Sequence, residues 1–233
     1  LIAYYLAKVY GFFEEALGFE GRFIRFRELL GEEKAHYSRV HWDLEVYTAD
    51  FGWVEVVNNA WRSDYDLSRH QSASKQSLTV FEDGRRILPH MYEPSFGLDR
   101  IILHLLIHAY RQDGDRVWLK ISPHLAPIQV GVFPLVSKDS LPEVARKIRE
   151  ELSRNLDAFY DEADSIGRRY RRMDEVGTPL CVTVDYQTLQ DQTVTVRNRD
   201  DMTQIRVKTQ DLPATISRII GGEAVFESLR ESG

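Results

Sequence analysis

Apolar positions recur at two different periods along this chain, and the change between them divides it. Residues 2–17 place apolar side chains at Ile2, Tyr5, Leu6, Val9, Phe12, Phe13 and Ala16, the spacing of one helical face, with Gly18 as the stop. The period then shortens to two. "RFIRFREL", "HWDLEVYT" and "GWVEVVNNA" predict strands, with Gly52 in the turn between the last two. "SDYDLSRHQSASKQS" is polar and turn-rich and predicts a short helical turn followed by a mobile loop. "LTVF" and "RRILPHMYE" predict strands split by the Asp83-Gly84 turn, and "SFGLDRIILHLLIHAY" predicts a strongly apolar helix from Ser95 onward. The first half therefore reads as antiparallel strands with flanking helices.

"RQDGDRVWLKISPHLAP" is a connection containing Gly114, Pro123 and Pro127, and the grammar changes after it. "IQVGVFPLV", "DAFYDE" and "PLCVTVDY" predict strands alternating with helices at "SLPEVARKIREELSRNL" and "SIGRRYRRMDEVG". Two alternating strands, "TVTVRNRD" and "QIRVK", and a last helix, "LPATISRII", complete the pattern. Strands alternating with helices imply a parallel or mixed sheet. The chain is predicted to be α/β (α+β), with one domain over residues 1–125 and a second over 126–233.

Composition narrows the class. With 43% hydrophobic and 28% charged residues the chain has a globular composition. It has no run of 18 or more apolar residues, so no membrane span is expected, and its start lacks a secretory pattern. The single cysteine, Cys181, allows no internal disulfide and points to an intracellular setting. The first residue is Leu1 and the helical pattern begins without an N-cap residue, so a piece of a longer polypeptide is expected. A net charge of −6 argues against broad nucleic-acid binding while leaving room for a local basic patch.

The stretch with the most chemistry is "PHMYEPSFGLDRIILHLL", residues 89–106. An acid at a strand end, Glu93, suits a cation such as an amino group. Gly97 permits a tight turn or a close ligand, and Arg100 carries a planar fork of donors that suits phosphate. Together they suggest a site for an amino acid beside a nucleotide. The bland reading is an ion pair of Glu93 with Arg100 and a helix cap from Ser95.

"PHMYEPSFGLDR" resembles motif 3 of a class II aminoacyl-tRNA synthetase in the form typical of glycyl-tRNA synthetases. "RFRELLGEEKAHYSRVHWDLEV" and "GWVEVVNNAWRSDYDLSRH" resemble the segments that family carries before motif 3. "LAPIQVGVFPLVSKDSLPEVARKI" and "YDEADSIGRRYRRMDEVGTPLCVTVDYQTLQDQTVTVRNRDDMTQIRV" resemble its anticodon-binding domain. The resemblance covers nearly the whole chain, in order.

It implies part of an antiparallel-sheet catalytic domain followed by an α/β anticodon-binding domain with a mixed sheet. It implies glycine binding by Glu93, Pro94, Ser95, Phe96 and Gly97, with the Glu93 carboxylate on the glycine amino group and Ser95 lining the pocket. ATP binding falls to Glu55, Val56, Gly97, Leu98, Asp99 and Arg100. Arg62 and Arg100 face the reacting groups. The implied activity is ATP-dependent activation of glycine and transfer to tRNA(Gly), with ATP and Mg2+ required, a homodimer of the full-length protein and a cytoplasmic location.

Two departures stand out. Asn58 occupies a position where the family has glycine, and no segment matches motifs 1 and 2. The alternative is a non-catalytic accessory or tRNA-binding paralogue.

Other residues carry weaker signals. Arg168, Arg171 and Arg172 in "RRYRR" are candidates for tRNA phosphates, against a solvated face paired with Asp174 and Glu175. Tyr170 suits stacking on a base or packing. His104 and His108 sit four apart on a helix, yet their apolar neighbours favour packing, and no metal site is predicted. Asp64 and Asp66 offer a cation site or, for Asp66, a turn cap. Cys181 is predicted to be core, as are Trp42, Trp53, Trp61 and Trp118.

Overall fold

The computed structural model describes residues 2–224 and 226. The chain forms two compact units, Leu1–His108 and Ala109–Gly233. The break falls before the residue-125 boundary read from the sequence.

The first unit opens with α1 (Ile2–Gly11), which runs into a single π-turn at Phe12–Ala16. Val9, Phe13 and Leu17 recur every four residues and are buried. Gly18, at φ 78°, ends the helix, and Phe19 stacks on Phe13 with ring centroids 5.6 Å apart. A four-stranded antiparallel sheet follows in the order β1 (Ile24–Glu28), β2 (Val40–Thr48), β3 (Gly52–Ser63), β6 (Met91–Phe96). Between β3 and β6 lie α2 (Tyr65–Ser74) and a small hairpin of β4 (Val80–Glu82) and β5 (Arg85–Ile87). Helix α3 (Leu98–Ala109) closes the unit.

Three expectations change here. The short turn at residues 63–77 is a ten-residue helix. The strand read over 85–93 is two strands, because Pro89 removes a ladder donor between them. Ser95 and Phe96 belong to β6, so the helix starts three residues later than the sequence suggested.

The sheet has two unlike faces. Register pairs Arg25 with Glu45, Arg27 with Asp43, Asp43 with Asn58, His41 with Ala60, and Ala60 with Glu93. Cross-strand partners share a face, so one face is almost wholly polar. The opposite face carries Ile24, Leu44, Val46 and Val57, all buried.

The second unit begins with a hairpin of β7 (Tyr110–Asp113) and β8 (Arg116–Leu119), in the stretch read as a connection. Its five-stranded mixed sheet has the order β10 (Ala158–Tyr160), β9 (Val130–Pro134), β11 (Leu180–Val184), β12 (Thr193–Asn198), β13 (Gln204–Lys208). The first three are parallel and the last two antiparallel. Helices α4 (Leu141–Leu152) and α7 (Leu212–Ile220) cover one face through Leu141, Ala145, Ile148, Leu212 and Ile216. Helix α5 (Ile166–Val176) covers the other, where Phe133, Met173 and Cys181 pack. A short helix, α6 (Thr188–Asp191), joins β11 to β12. Buried on both faces, β9 and β11 have no exposed residue.

Gly177 ends α5 at φ 84°, and a methyl there would lie 2.9 Å from Ile121 Cδ1, so only glycine fits. Cys181 is core, as expected, and burial pushes its thiol up to about 12. The tryptophans are not core: all four are half-buried. Arg25, Arg39 and Arg116 lie over Trp53, Trp61 and Trp118 at 4.3, 5.5 and 4.2 Å. No described helix is long and apolar enough to cross a membrane.

Candidate functional site

The polar face of the first sheet brings together Arg62, Glu93 and Ser95 of the residues singled out in the sequence. Glu93 on β6 stands opposite Ala60 on β3, and Ser95 stands opposite Asn58. Because Ala60 is small, Arg62, two residues on, reaches Glu93: its Nη1 donates to Glu93 Oε2. The other carboxylate oxygen accepts from Ser95 Oγ at 3.4 Å. Ser63, at φ 54°, turns the chain after β3 so that Asp66 in the first turn of α2 comes back to Arg62. Arg62 Nε and Nη2 donate to the two Asp66 oxygens at 2.6 and 2.5 Å, and its guanidinium lies 3.9 Å from the centre of the Tyr37 ring. One arginine is thus held by two carboxylates and a ring face, which fixes its rotamer before any ligand arrives. Its hydrogen bonds to Asp66 and then to Glu93 hold the Arg62 pKa above the usual value, and the hydrogen bond from Arg62 holds the Asp66 carboxyl below its own.

A β-bulge explains the second half of the site. Leu44 pairs with Val57 but Glu45 pairs with Glu55, so Val56 is an extra residue on β3. The carbonyls at this bulge are taken by the turn from β6 to α3. Gly97 N–H donates to Val56 O at 2.8 Å, and Arg100 Nη1 donates to Glu55 O at 3.0 Å. A methyl at Gly97 would lie 3.4 Å from that Val56 oxygen, an ordinary van der Waals contact, so close packing alone does not require glycine here. Arg100 also sits 3.6 Å from Glu55 Oε2. Glu93 and Arg100 therefore do not pair with each other, and Ser95 caps no helix; the bland reading of the motif is replaced by two separate pairs.

Alternation divides the remaining motif residues. Pro94 and Phe96 pair with Asn59 and Val57 and point to the face opposite Glu93, where Phe96 meets Phe12 edge-on with centroids 6.1 Å apart. Leu98 and Asp99 are exposed in the first turn of α3, and Val56 is buried. Asn58 Nδ2 donates to Asp43 Oδ1 at 3.1 Å and lies against His41 Nε2, so its carboxamide is engaged by β2.

The sequence reading missed several residues of this face. Glu45 accepts from Arg25 at 2.6 Å and from Arg27 at 3.1 Å. Burial, then the charge of Glu55, raise the Asp43 carboxyl above its usual range. The signal was present: polar residues at every second position of β1 (Arg25, Arg27) and β2 (His41, Asp43, Glu45).

Elsewhere, His104 Nδ1 donates to Arg100 O at 2.7 Å and His108 Nε2 donates to Tyr47 O at 2.8 Å. The two rings are oriented by different partners, and no group of three or more metal-ligating side chains occurs among the described residues. Asp64 makes no side-chain cap bond, and Asp66 holds Arg62 instead of capping.

In the second unit the basic run splits by function. Arg169 is 1% exposed and donates to the carbonyls of Pro134 (2.6 Å) and Leu135 (3.3 Å). Arg168 and Arg172 point outward, and their acidic partners are Asp164 and Asp161, not Asp174 and Glu175. Asp174 is buried and bound by Arg197 at 2.8 and 3.0 Å and by Arg116 at 3.0 Å. Arg171 is exposed with no ion pair among the described residues. Tyr170 packs, its hydroxyl 2.5 Å from Thr183 Oγ1.

Known proteins resemble most of this chain. Residues 129–219 match the HGTP_anticodon family, described as an anticodon binding domain. The chain is 43% identical to a glycine–tRNA ligase of Borrelia hermsii over 90% of its own length and 49% of that protein. It is 36% identical to the ligase of Methanocaldococcus jannaschii, over 91% of this chain and 51% of that one. Against the Pyrococcus horikoshii ligase the identity is 38%, over 85% and 49%. The chain thus spans about half the length of the curated relatives it matches. Residues 129–219 are thus similar to an anticodon binding domain, and the chain is similar in sequence to the C-terminal half of the glycine–tRNA ligases, class II aminoacyl-tRNA synthetases.

Proposed function

We propose that this chain supplies one side of the active site of a glycine–tRNA ligase, together with its anticodon-binding domain. The observation that carries the reading is the Arg62–Glu93–Ser95 constellation, assembled by strand register on the polar sheet face. The reaction is attack of the glycine carboxylate on the α-phosphate of ATP with loss of pyrophosphate. The terminal adenosine hydroxyl of tRNA(Gly) then attacks the glycyl carbonyl of the adenylate and takes the glycyl group, and AMP leaves.

Glu93 accepts hydrogen bonds from the glycine ammonium, and its tie to Arg62 aims the carboxylate. Ser95 fills the space beside the amine. Arg62 holds its orientation through Asp66 and presents charge to the carboxylate end. Arg100, fixed to the bulge carbonyl, lies along ATP. Glu55 is the carboxylate for magnesium: it is half-exposed, and Mg2+ suits one or two carboxylates plus substrate phosphates. Bound magnesium supplies charge neutralisation on those phosphates. Positioning and charge account for the catalysis, since no residue forms a covalent intermediate. Arg171, with Arg168 and Arg172 beside it, contacts tRNA phosphates. The full-length protein is a cytoplasmic homodimer.

The test is glycine-dependent ATP–pyrophosphate exchange by the full-length polypeptide that contains this chain. Exchange with glycine but not alanine, lost in Arg100→Ala, supports the reading. No exchange while tRNA binding persists identifies the accessory paralogue instead, with Asn58→Gly as the reverting substitution to try.

A further inference from the structure

Asn58 lies inside the site, yet the ligase reading gives it no work. Register puts it on the sheet face of Glu93. It stands opposite Ser95 on β6 and opposite Asp43 on β2, two residues along β3 from the Ala60–Glu93 pair. Opposed side chains of an antiparallel pair have Cβ atoms about 4.5–5.5 Å apart, and diagonal neighbours about 7–8 Å. Asn58, Ser95 and Glu93 therefore surround one small volume above the strands. Strand β2 fixes the carboxamide from the other side. Its Nδ2 donates to Asp43 Oδ1 at 3.1 Å and lies against His41 Nε2. Asp43 and His41 are only 3% and 5% exposed, so this anchor is packed into the sheet. A carboxylate accepts and does not donate, so it selects the NH2 end of the amide for β2. The other end, Oδ1, accepts no hydrogen bond among the described residues. Nor is that oxygen sealed in the core: Asn58 is half-buried, and the buried side-chain atoms without partners belong to other residues.

An ammonium ion brings three N–H donors and no acceptor. Of the Glu93 oxygens, Oε2 is taken by Arg62, which leaves Oε1. Ser95 Oγ, which donates to Oε1 at 3.4 Å, keeps its lone pairs and is a second acceptor. Ala60, between the two strands, offers none. We propose that Asn58 is a substrate-binding residue whose Oδ1 accepts the third N–H of the glycine ammonium, beside Glu93 Oε1 and Ser95 Oγ. The proposal rests on the ligase reading and deepens it. Where the family pattern has glycine, this chain adds a contact instead of crowding the site. An amine held through all three of its hydrogens leaves no place for a substituent on nitrogen, so the pocket selects primary amines.

Calorimetric titration of the full-length polypeptide that contains this chain with glycine, N-methylglycine and ATP tests the proposal. Asn58→Ala removes the acceptor and is expected to weaken glycine binding about tenfold, the scale of one hydrogen bond to a charged group, with ATP affinity unchanged. N-methylglycine has one N–H fewer and a methyl to place, so the parent should bind it about tenfold more weakly than glycine, or worse. In Asn58→Ala that gap should shrink, because the lost carboxamide takes away the third acceptor and opens room for the methyl. Disturbed packing alone would weaken both ligands equally. Asn58→Gly, the residue of the family pattern, is the second variant should the buried Asp43 make Asn58→Ala unstable, and it is expected to behave alike. Unchanged or tighter glycine binding in these variants overturns the proposal and makes Asn58 a space-filling residue. A constant gap between glycine and N-methylglycine overturns it as well. A parent that binds no glycine overturns the ligase reading and this proposal with it, which separates that failure from the failure of Asn58 alone.

Discussion

Glu93→Gln separates the ligand-binding role of this carboxylate from its structural one. In the free protein Glu93 pairs with Arg62, but its side chain is 38% exposed and Arg62 keeps both hydrogen bonds to Asp66. Exposed pairs contribute about 0–1 kcal/mol, so the stability loss should sit at the bottom of that range. The isosteric amide keeps the Ser95 contact. What it loses is the charge opposite an ammonium ion, a contact worth about 1.5–3 kcal/mol. At 1.4 kcal/mol per decade that is about a ten- to hundredfold rise in the glycine dissociation constant. ATP binding, which the reading assigns to Arg100 and Glu55 at the bulge, should change little. Calorimetry of the full-length polypeptide with glycine and with ATP, alongside its thermal midpoint, gives all three numbers. Equal losses for the two ligands would falsify the assignment of Glu93 to the amine. A large drop in the thermal midpoint with intact glycine affinity would make the residue a structural ion pair.

The 233-residue chain alone, half the length of its relatives, should show no glycine-dependent ATP–pyrophosphate exchange. Exchange above background would show that Arg62 and Arg100 suffice. Asp174→Ala should cost about 3–5 kcal/mol in chemical denaturation, because it leaves the buried Arg197 charge without its partner; a loss near zero would mean that the site relaxes to admit water. Arg171→Ala should flatten the salt dependence of tRNA binding more than Arg168→Ala or Arg172→Ala, whose guanidinium groups are tied to Asp161 and Asp164; an unchanged slope removes Arg171 from the tRNA surface. Hydrogen bonds from Arg172 and Arg168 hold the Asp164 carboxyl below the usual carboxylate range, and at Asp161 the raising effect of burial is overcome by the Ala163 N–H and Arg172 together, which leave that carboxyl below the range as well. Carboxylates lowered in the folded state stabilise above their unfolded pKa and lose that contribution as pH falls through the folded value. Unfolding midpoints of Asp161→Asn/Asp164→Asn should therefore approach the parent as pH drops below about 4; a gap that stays constant to pH 2 would refute the pairing.

Local pattern carried much of this protein. The two periods of apolar residues placed both sheets and most helices, since burying one face of a strand or helix requires that spacing whatever the partner. The motif around Glu93 was legible because it is contiguous. Tertiary structure decided who faces whom. Glu93 meets Arg62 and not Arg100, although Arg100 is nearer in sequence, because β6 runs antiparallel beside β3 and one bulge at Val56 sets which carbonyls the next turn must satisfy. The hairpin at 110–119 was hidden by its Gly114 turn and short, half-exposed strands. The burial of Arg169 within an apparently uniform basic run was equally unreadable. Four arginines within five helical positions point in different directions, and only the position of the carbonyls of Pro134 and Leu135 determines which guanidinium is drawn inward.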